Sequence, residues 1–146
     1  MITKPFVCVL LATLAGPVVA APGCVSVEQG WVRLTPGAMR MAAGFARIRN
    51  GCASEVVVIG AGSKAFGDVS LHETTVADGV SRMREIDRLP IAAGASAELK
   101  PGGLHLMLMQ PEVPLAEGAQ LPLRLSLEDG TKVDGTLQVR RDAPAR

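Results

Sequence analysis

Residues 72–85 read His72-Glu73-Thr74-Thr75-Val76-Ala77-Asp78-Gly79-Val80-Ser81-Arg82-Met83-Arg84-Glu85. Asp-Gly between two β-forming runs is a hairpin signal, because a tight two-residue turn needs positive φ at both central positions. With Asp78 and Gly79 in those positions, Ala77 faces Val80, Thr74 faces Met83 and His72 faces Glu85. Side chains alternate faces along a strand, so His72 and Met83 share a face as diagonal neighbours. Their Cα atoms are expected roughly 7–8 Å apart.

The rest of the chain reads in the same way. Candidate strands are Val25–Val32, Gly44–Arg49, Ser54–Gly60, Asp68–Val76, Val80–Leu89, Ser96–Lys100, Leu104–Met109, Leu121–Leu127 and Lys132–Arg140. The run Val56-Val57-Val58-Ile59 is β-branched throughout, and Val25 and Val27 alternate with polar residues. Asp129-Gly130 is a second hairpin signal, and Pro36-Gly37, Pro101-Gly102-Gly103 and the Pro111–Pro114 stretch mark loops. No long window keeps a helical period free of breakers. The expected class is all-β, a Greek-key β-sandwich or barrel. The cysteine–tryptophan–cysteine order of antibody domains does not fit, since Trp31 follows Cys24 closely and Cys52 lies far beyond it.

The chain has 146 residues, enough for one core. Lys+Arg 15 stand against Asp+Glu 14, which excludes an electrostatic nucleic-acid binder. Aromatics are 3% of residues, too few for base-stacking or sugar platforms. Residues 1–20 have the layout of a secretory signal peptide: Lys4, the apolar run Phe6–Ala15, the breaker Gly16-Pro17, then small residues at Val18 and Ala20. The apolar run is too short to span a bilayer. The expected mature product is residues 21–146, one exported, monomeric domain without a membrane span. Cys8 leaves with the signal, and Cys24 and Cys52 are expected to form a disulfide in an oxidising compartment. Closing that loop is worth roughly 3–4 kcal/mol on the chain-entropy model. Lipidation of Cys24 is the alternative, a poor match because Pro22 and the lack of Leu depart from the usual site.

Only two histidines occur, His72 and His105, and each has a methionine nearby in sequence or across a hairpin. In Leu104-His105-Leu106-Met107-Leu108-Met109 the leucines supply a buried face. That places His105, Met107 and Met109 on the opposite one. Methionine in an apolar strand usually packs in a core, yet here the packing face is already leucine. If this strand lies against the hairpin, a point the sequence leaves open, two imidazoles and two thioethers converge. Neutral thioethers suit neither Mg, Ca nor Zn, and two Met with two His select Cu(I). No cysteine lies near either histidine, so a blue-copper centre is not expected and the copper form should have little visible colour. Met109 is a candidate auxiliary ligand. Met39 and Met41 are read as loop residues, with packing as their ordinary role and ligation or a partner surface as alternatives. Glu73 and Glu85 flank the site as candidate tuning groups.

The spacing His72, ten residues, Met83, twenty-one residues, His105, one residue, Met107 resembles the H-x10-M-x21-H-x-M motif of the periplasmic copper chaperones called PCuAC. Trp31-Val32-Arg33, Pro36-Gly37, Ala42-Ala43-Gly44-Phe45 and Asn50 also resemble the family. The resemblance covers most of residues 25–140. It implies a cupredoxin-like, immunoglobulin-like Greek-key β-sandwich that binds one Cu(I) near its surface through His72, Met83, His105 and Met107. It also implies delivery to the CuA centre in subunit II of cytochrome c oxidase, alongside a thioredoxin-like Sco protein. The tail from Arg140 to Arg146 has no His or Met, so the second, Cu(II) site of some family members is not expected.

Such a protein transfers metal by ligand exchange and is not an enzyme; no nucleophile elbow or zinc-protease motif is present. The histidines are expected to anchor the ion and the thioethers to be labile. Imidazole binds metal only when neutral, so affinity should fall with acidification through about pH 6.5, where imidazoles ordinarily protonate. Copper storage or resistance shares the same site. A metal-free adhesion or assembly module is the rival from another class.

Overall fold

The structure, a computed structural model, describes residues 23–37 and 40–143. The expected signal peptide and Met39 lie outside the described residues. Ten strands follow in chain order: β1 Val25–Arg33, β2 Met41–Asn50, β3 Val56–Gly62, β4 Phe66–Ala77, β5 Val80–Glu85, β6 Leu89–Ile91, β7 Ser96–Leu99, β8 Leu104–Pro111, β9 Gln120–Leu127 and β10 Lys132–Arg140. No helix occurs among the described residues, and hence none long and apolar enough to cross a membrane.

The strands form one hydrogen-bonded sheet in the order β5-β4-β8-β7-β2-β1-β10-β9-β3-β6, with β8 also pairing β2. Pairings are antiparallel except β1–β10 and the short β7–β8 contact. The run expected as one strand, Val80–Leu89, divides at Ile86, so β5 and β6 stand at opposite edges of the sheet. Ile86 N–H donates to Leu71 O (2.9 Å), ending the β4–β5 ladder and turning the chain inward. Pro90 then sits in an edge strand, where a residue without an N–H is tolerated. Because only residues 86–88 join the two edges, the sheet must roll over on itself. It thereby encloses a single core.

That core takes side chains from almost every strand: Val32, Ile48, Val58, Leu71, Leu99, Leu106, Leu108, Leu125, Leu137 and Val139 among them. Leu106 and Leu108 are fully buried. Gly44 faces them across β2, and a Cβ there would lie 3.1 Å from Leu108 Cδ1 and 3.2 Å from Leu106 Cβ. Asn50, also fully buried, ties β2 to the following loop and to β6. Its Nδ2 donates to the carbonyls of Ser54 (2.9 Å), Ile91 (2.9 Å) and Ala92 (3.1 Å), and its Oδ1 accepts from Cys52 N–H (2.9 Å). Cys24 and Cys52 are joined by the expected disulfide, across a sequence separation of 28.

Candidate metal centre

The hairpin forms in the register read from its sequence. Asp78 and Gly79 have φ of 52° and 74°, and the pairs are Ala77–Val80, Thr74–Met83 and His72–Glu85. The position of β8, open at the level of sequence, is against β4: His105 lies directly opposite His72, and Met107 opposite Ser70. On its other side Met107 faces Ala43 of β2. With Leu106 and Leu108 in the core, His105, Met107 and Met109 take the outward face. His72 and Met83 share that face.

His105 is only 7% exposed although it points outward, because Met83 reaches over it from β5. Its Nδ1 lies 2.9 Å from Gly103 O. In the neutral ring Nδ1–H donates to that carbonyl, which leaves Nε2 as a lone pair. Gly103 O is itself held by Thr74 N–H at 3.1 Å, so β4 fixes the acceptor that orients the ring. Nε2 stands 3.1 Å from Met83 Sδ. Two lone-pair atoms thus face each other with no proton between them, an arrangement that a shared cation stabilises. With about 2.0 Å to nitrogen and 2.3 Å to sulfur, one ion separates two such donors by about 3.0–3.5 Å at right to tetrahedral angles.

The His72 and His105 ring centroids are 5.9 Å apart, tilted by 24°. Two imidazoles on one ion span at most roughly 6 Å between centroids at such bond lengths, so the pair fits. His72 Nδ1 lies 3.4 Å from Ser70 Oγ. Met107 has the small residues Ala43 and Ser70 opposite it on either side. Trp31 and Phe45 pack at a tilt, ring centroids 4.7 Å apart, beneath the Arg33 guanidinium, and Phe45 follows the last β2–β8 pair, Gly44–Leu106, just as His105 does.

Sequence reasoning reads Gly103 only as part of a loop and passes over Ser70. Ser70 is detectable in principle as the i−2 neighbour of His72 on one strand face; Gly103, acting through its carbonyl, carries no side-chain signal. Three expectations change. Glu73 points to the other face and pairs with Arg84 at 2.8 Å, so only Glu85 remains beside the site. Met41 opens β2 instead of lying in a loop, and it is 42% exposed and absent from the core. Met109, four residues from His105, stands about 13 Å along the strand, too far to share its ion. Among the described residues no three His, Cys, Asp or Glu side chains gather to hold a metal. The donor set available is imidazole plus thioether.

A family profile described as "Putative lipoprotein LpqE-like" matches residues 25–139, which spans β1 to β10. The chain belongs to the LpqE-like family. Of the relatives of this LpqE-like protein, "Putative lipoprotein Lxx21020" of Leifsonia xyli subsp. xyli is 34% identical over 73% of the chain. The match covers 64% of that relative's own length. "Uncharacterized protein RP573" of Rickettsia prowazekii is 26% identical, covering 85% of the chain and 71% of the relative. The solution structure of the Cu(I) form of DR1885 from Deinococcus radiodurans matches with a TM-score of 0.67 at 25% identity, over 87% of this chain and 85% of that one. The copper-bound PCuAC domain of PmoF2 gives 0.67 at 21% identity, over 85% and 97%. The LpqE-like chain therefore has the cupredoxin-like fold of PCuAC domains.

Proposed function

We propose that this LpqE-like protein is an exported copper chaperone that holds one Cu(I) through His72, Met83, His105 and Met107. The observation that carries the reading is the 3.1 Å approach of His105 Nε2 to Met83 Sδ, with the imidazole's other nitrogen committed to Gly103 O. The copper-bound PCuAC domains that share its fold support the same metal. All four donors are neutral, so the ion's charge is not cancelled by a buried carboxylate or thiolate. A partner can displace them one at a time. Met83 is the first to go: it lies on the outermost strand and is 53% exposed. The buried, carbonyl-oriented His105 is the last. The acceptor is the CuA centre of cytochrome c oxidase subunit II, with a Sco-type thioredoxin-like protein as a further partner.

The lipoprotein names of the family and its relative support export. In this chain Cys24 is bonded to Cys52, so its sulfur carries no thioether-linked lipid and cannot compete for copper.

The test is titration of the purified protein with Cu(I) against a competing chelator. One tight equivalent is expected. Met107→Leu should leave the thermal midpoint unchanged and weaken that equivalent by at least about tenfold, ~1.4 kcal/mol. A full-strength site in this variant would remove Met107 from the ligand set, and no tight copper binding at all would favour a metal-free module. Transfer of the bound copper to an apo CuA domain tests the delivery role.

A further inference from the structure

We propose that Met41, Met109 and Asp68 form a second site for a soft monovalent cation, Cu(I) or Ag(I), on the same sheet face but separate from the histidine centre. It shares with the proposed function only the softness of the metal, not a ligand.

Three strands bring the residues into one row. Met109 of β8 lies directly opposite Met41 of β2 on one side and directly opposite Asp68 of β4 on the other. Their chain neighbours Ala42, Leu108 and Val69 are buried in the core, so the row itself faces outward. Directly opposed residues have Cβ atoms about 4.5–5.5 Å apart. A thioether on three rotatable bonds spans half that gap easily, so the two sulfurs can meet at one ion.

Neither methionine is part of the core, although Met109 is half-buried. Both are missing from the core and from the apolar residues packed against it. Met41 leaves 42% of its surface in water, an exposure that hydrophobic burial would have removed had a place in the core existed. Asp68 is exposed and has no ion-pair or side-chain hydrogen-bond partner among the described residues. Two neutral soft sulfurs and one free carboxylate make a donor set that is neutral overall with a monovalent ion. They select a soft ion over Mg, Ca or Zn.

The separation from the histidines is fixed by the strand. Met109 is four residues from His105 on β8, about 13 Å, and Met107 lies midway at about 6.6 Å from each. One ion cannot serve both sites, but Met107 can be reached from either. Copper that arrives at the exposed row can therefore move inward by exchange. The Cu–S bond to Met109 breaks as one to Met107 forms, then His105 and His72 replace the remaining donors. Copper stays Cu(I) throughout, with no electron transferred and no proton released.

The experiment uses the full chain with methionine methyl groups labelled with carbon-13, titrated with Ag(I) alone and followed by NMR. The full chain has six methionines, Met1 and Met39 included, and the signals of Met41, Met83, Met107 and Met109 are assigned among them by single Met→Leu variants. Met83 and Met107 should move over the first equivalent, and Met41 and Met109 between the first and second. The Met41→Leu/Met109→Leu double variant should lose the second step while changing first-step affinity by less than about twofold, as expected for independent sites. The Met83→Leu/Met107→Leu double variant should keep the Met41 and Met109 response. Methyl signals of Met41 and Met109 that stay still in excess Ag(I) would overturn the second site. So would Met109 moving in step with Met83 in the first equivalent. If Met83 and Met107 alone stay still, the second site stands and the histidine centre falls, so the two claims fail separately.

Discussion

At the scale of single residues, one backbone oxygen does most to prepare the site. Gly103 O takes the Nδ1 proton of His105 and so presents Nε2 to Met83. No substitution at Gly103 removes that carbonyl, which is why no residue preference at this position announces its function. His72, Met83, His105 and Met107 are legible in the sequence for the opposite reason: their chemistry is in the side chain, and strand alternation puts them on one face. Asn50 shows a buried polar group used structurally. Its four hydrogen bonds bind the end of β2 to the loop after it and to β6. Asn50→Ala leaves a buried N–H and buried carbonyls without partners, so it should cost about 2–4 kcal/mol in denaturant unfolding. Copper affinity of the folded fraction should not change, because Asn50 is remote from the donors. A loss below about 0.5 kcal/mol would mean that water replaces the network without penalty.

At the scale of elements, the β4–β5 hairpin is the ligand arm. Its register was readable because Asp78-Gly79 admits one tight turn and a period of two does the rest. What local pattern could not supply is the pairing of β4 with β8, which joins residues far apart in sequence. Nor could it show the break at Ile86, where alternation continues but the chain leaves for the opposite edge. The arm depends on the turn. Gly79 has φ of 74°, and Gly79→Val forces a β-branched residue into the left-handed region, at about 1–2 kcal/mol. Every residue of β5 is exposed, so the strain should fray the arm and spare the core. Cu(I) affinity should fall about five- to thirtyfold on that energy, while the thermal midpoint changes little. Equal losses in both would show that the hairpin is part of the cooperative core.

At the scale of the whole molecule, the sheet rolls over a leucine- and valine-rich core, and the disulfide clasps β1 to the loop after β2. The metal face and the acid-sensitive face differ. Arg88 holds the Glu128 carboxyl below the usual range through hydrogen bonds, Arg124 does the same for Asp134, and the Thr131 backbone N–H does so for Asp129. Each group therefore binds protons more readily unfolded than folded. Their contribution is fully present above the ordinary carboxylate range and is lost as pH falls through and below it. Unfolding midpoints should be level from neutral pH to about 5 and drop below about 4, less steeply in high salt because all three groups are exposed. A midpoint that rises between those values would contradict this. The four-donor copper centre is the claim on which the functional account rests, and copper K-edge X-ray absorption of the protein carrying one equivalent of Cu(I) tests it most directly. The expected spectrum fits two nitrogens at about 2.0 Å and two sulfurs at about 2.3 Å; a shell of nitrogen and oxygen alone, without sulfur, would contradict it.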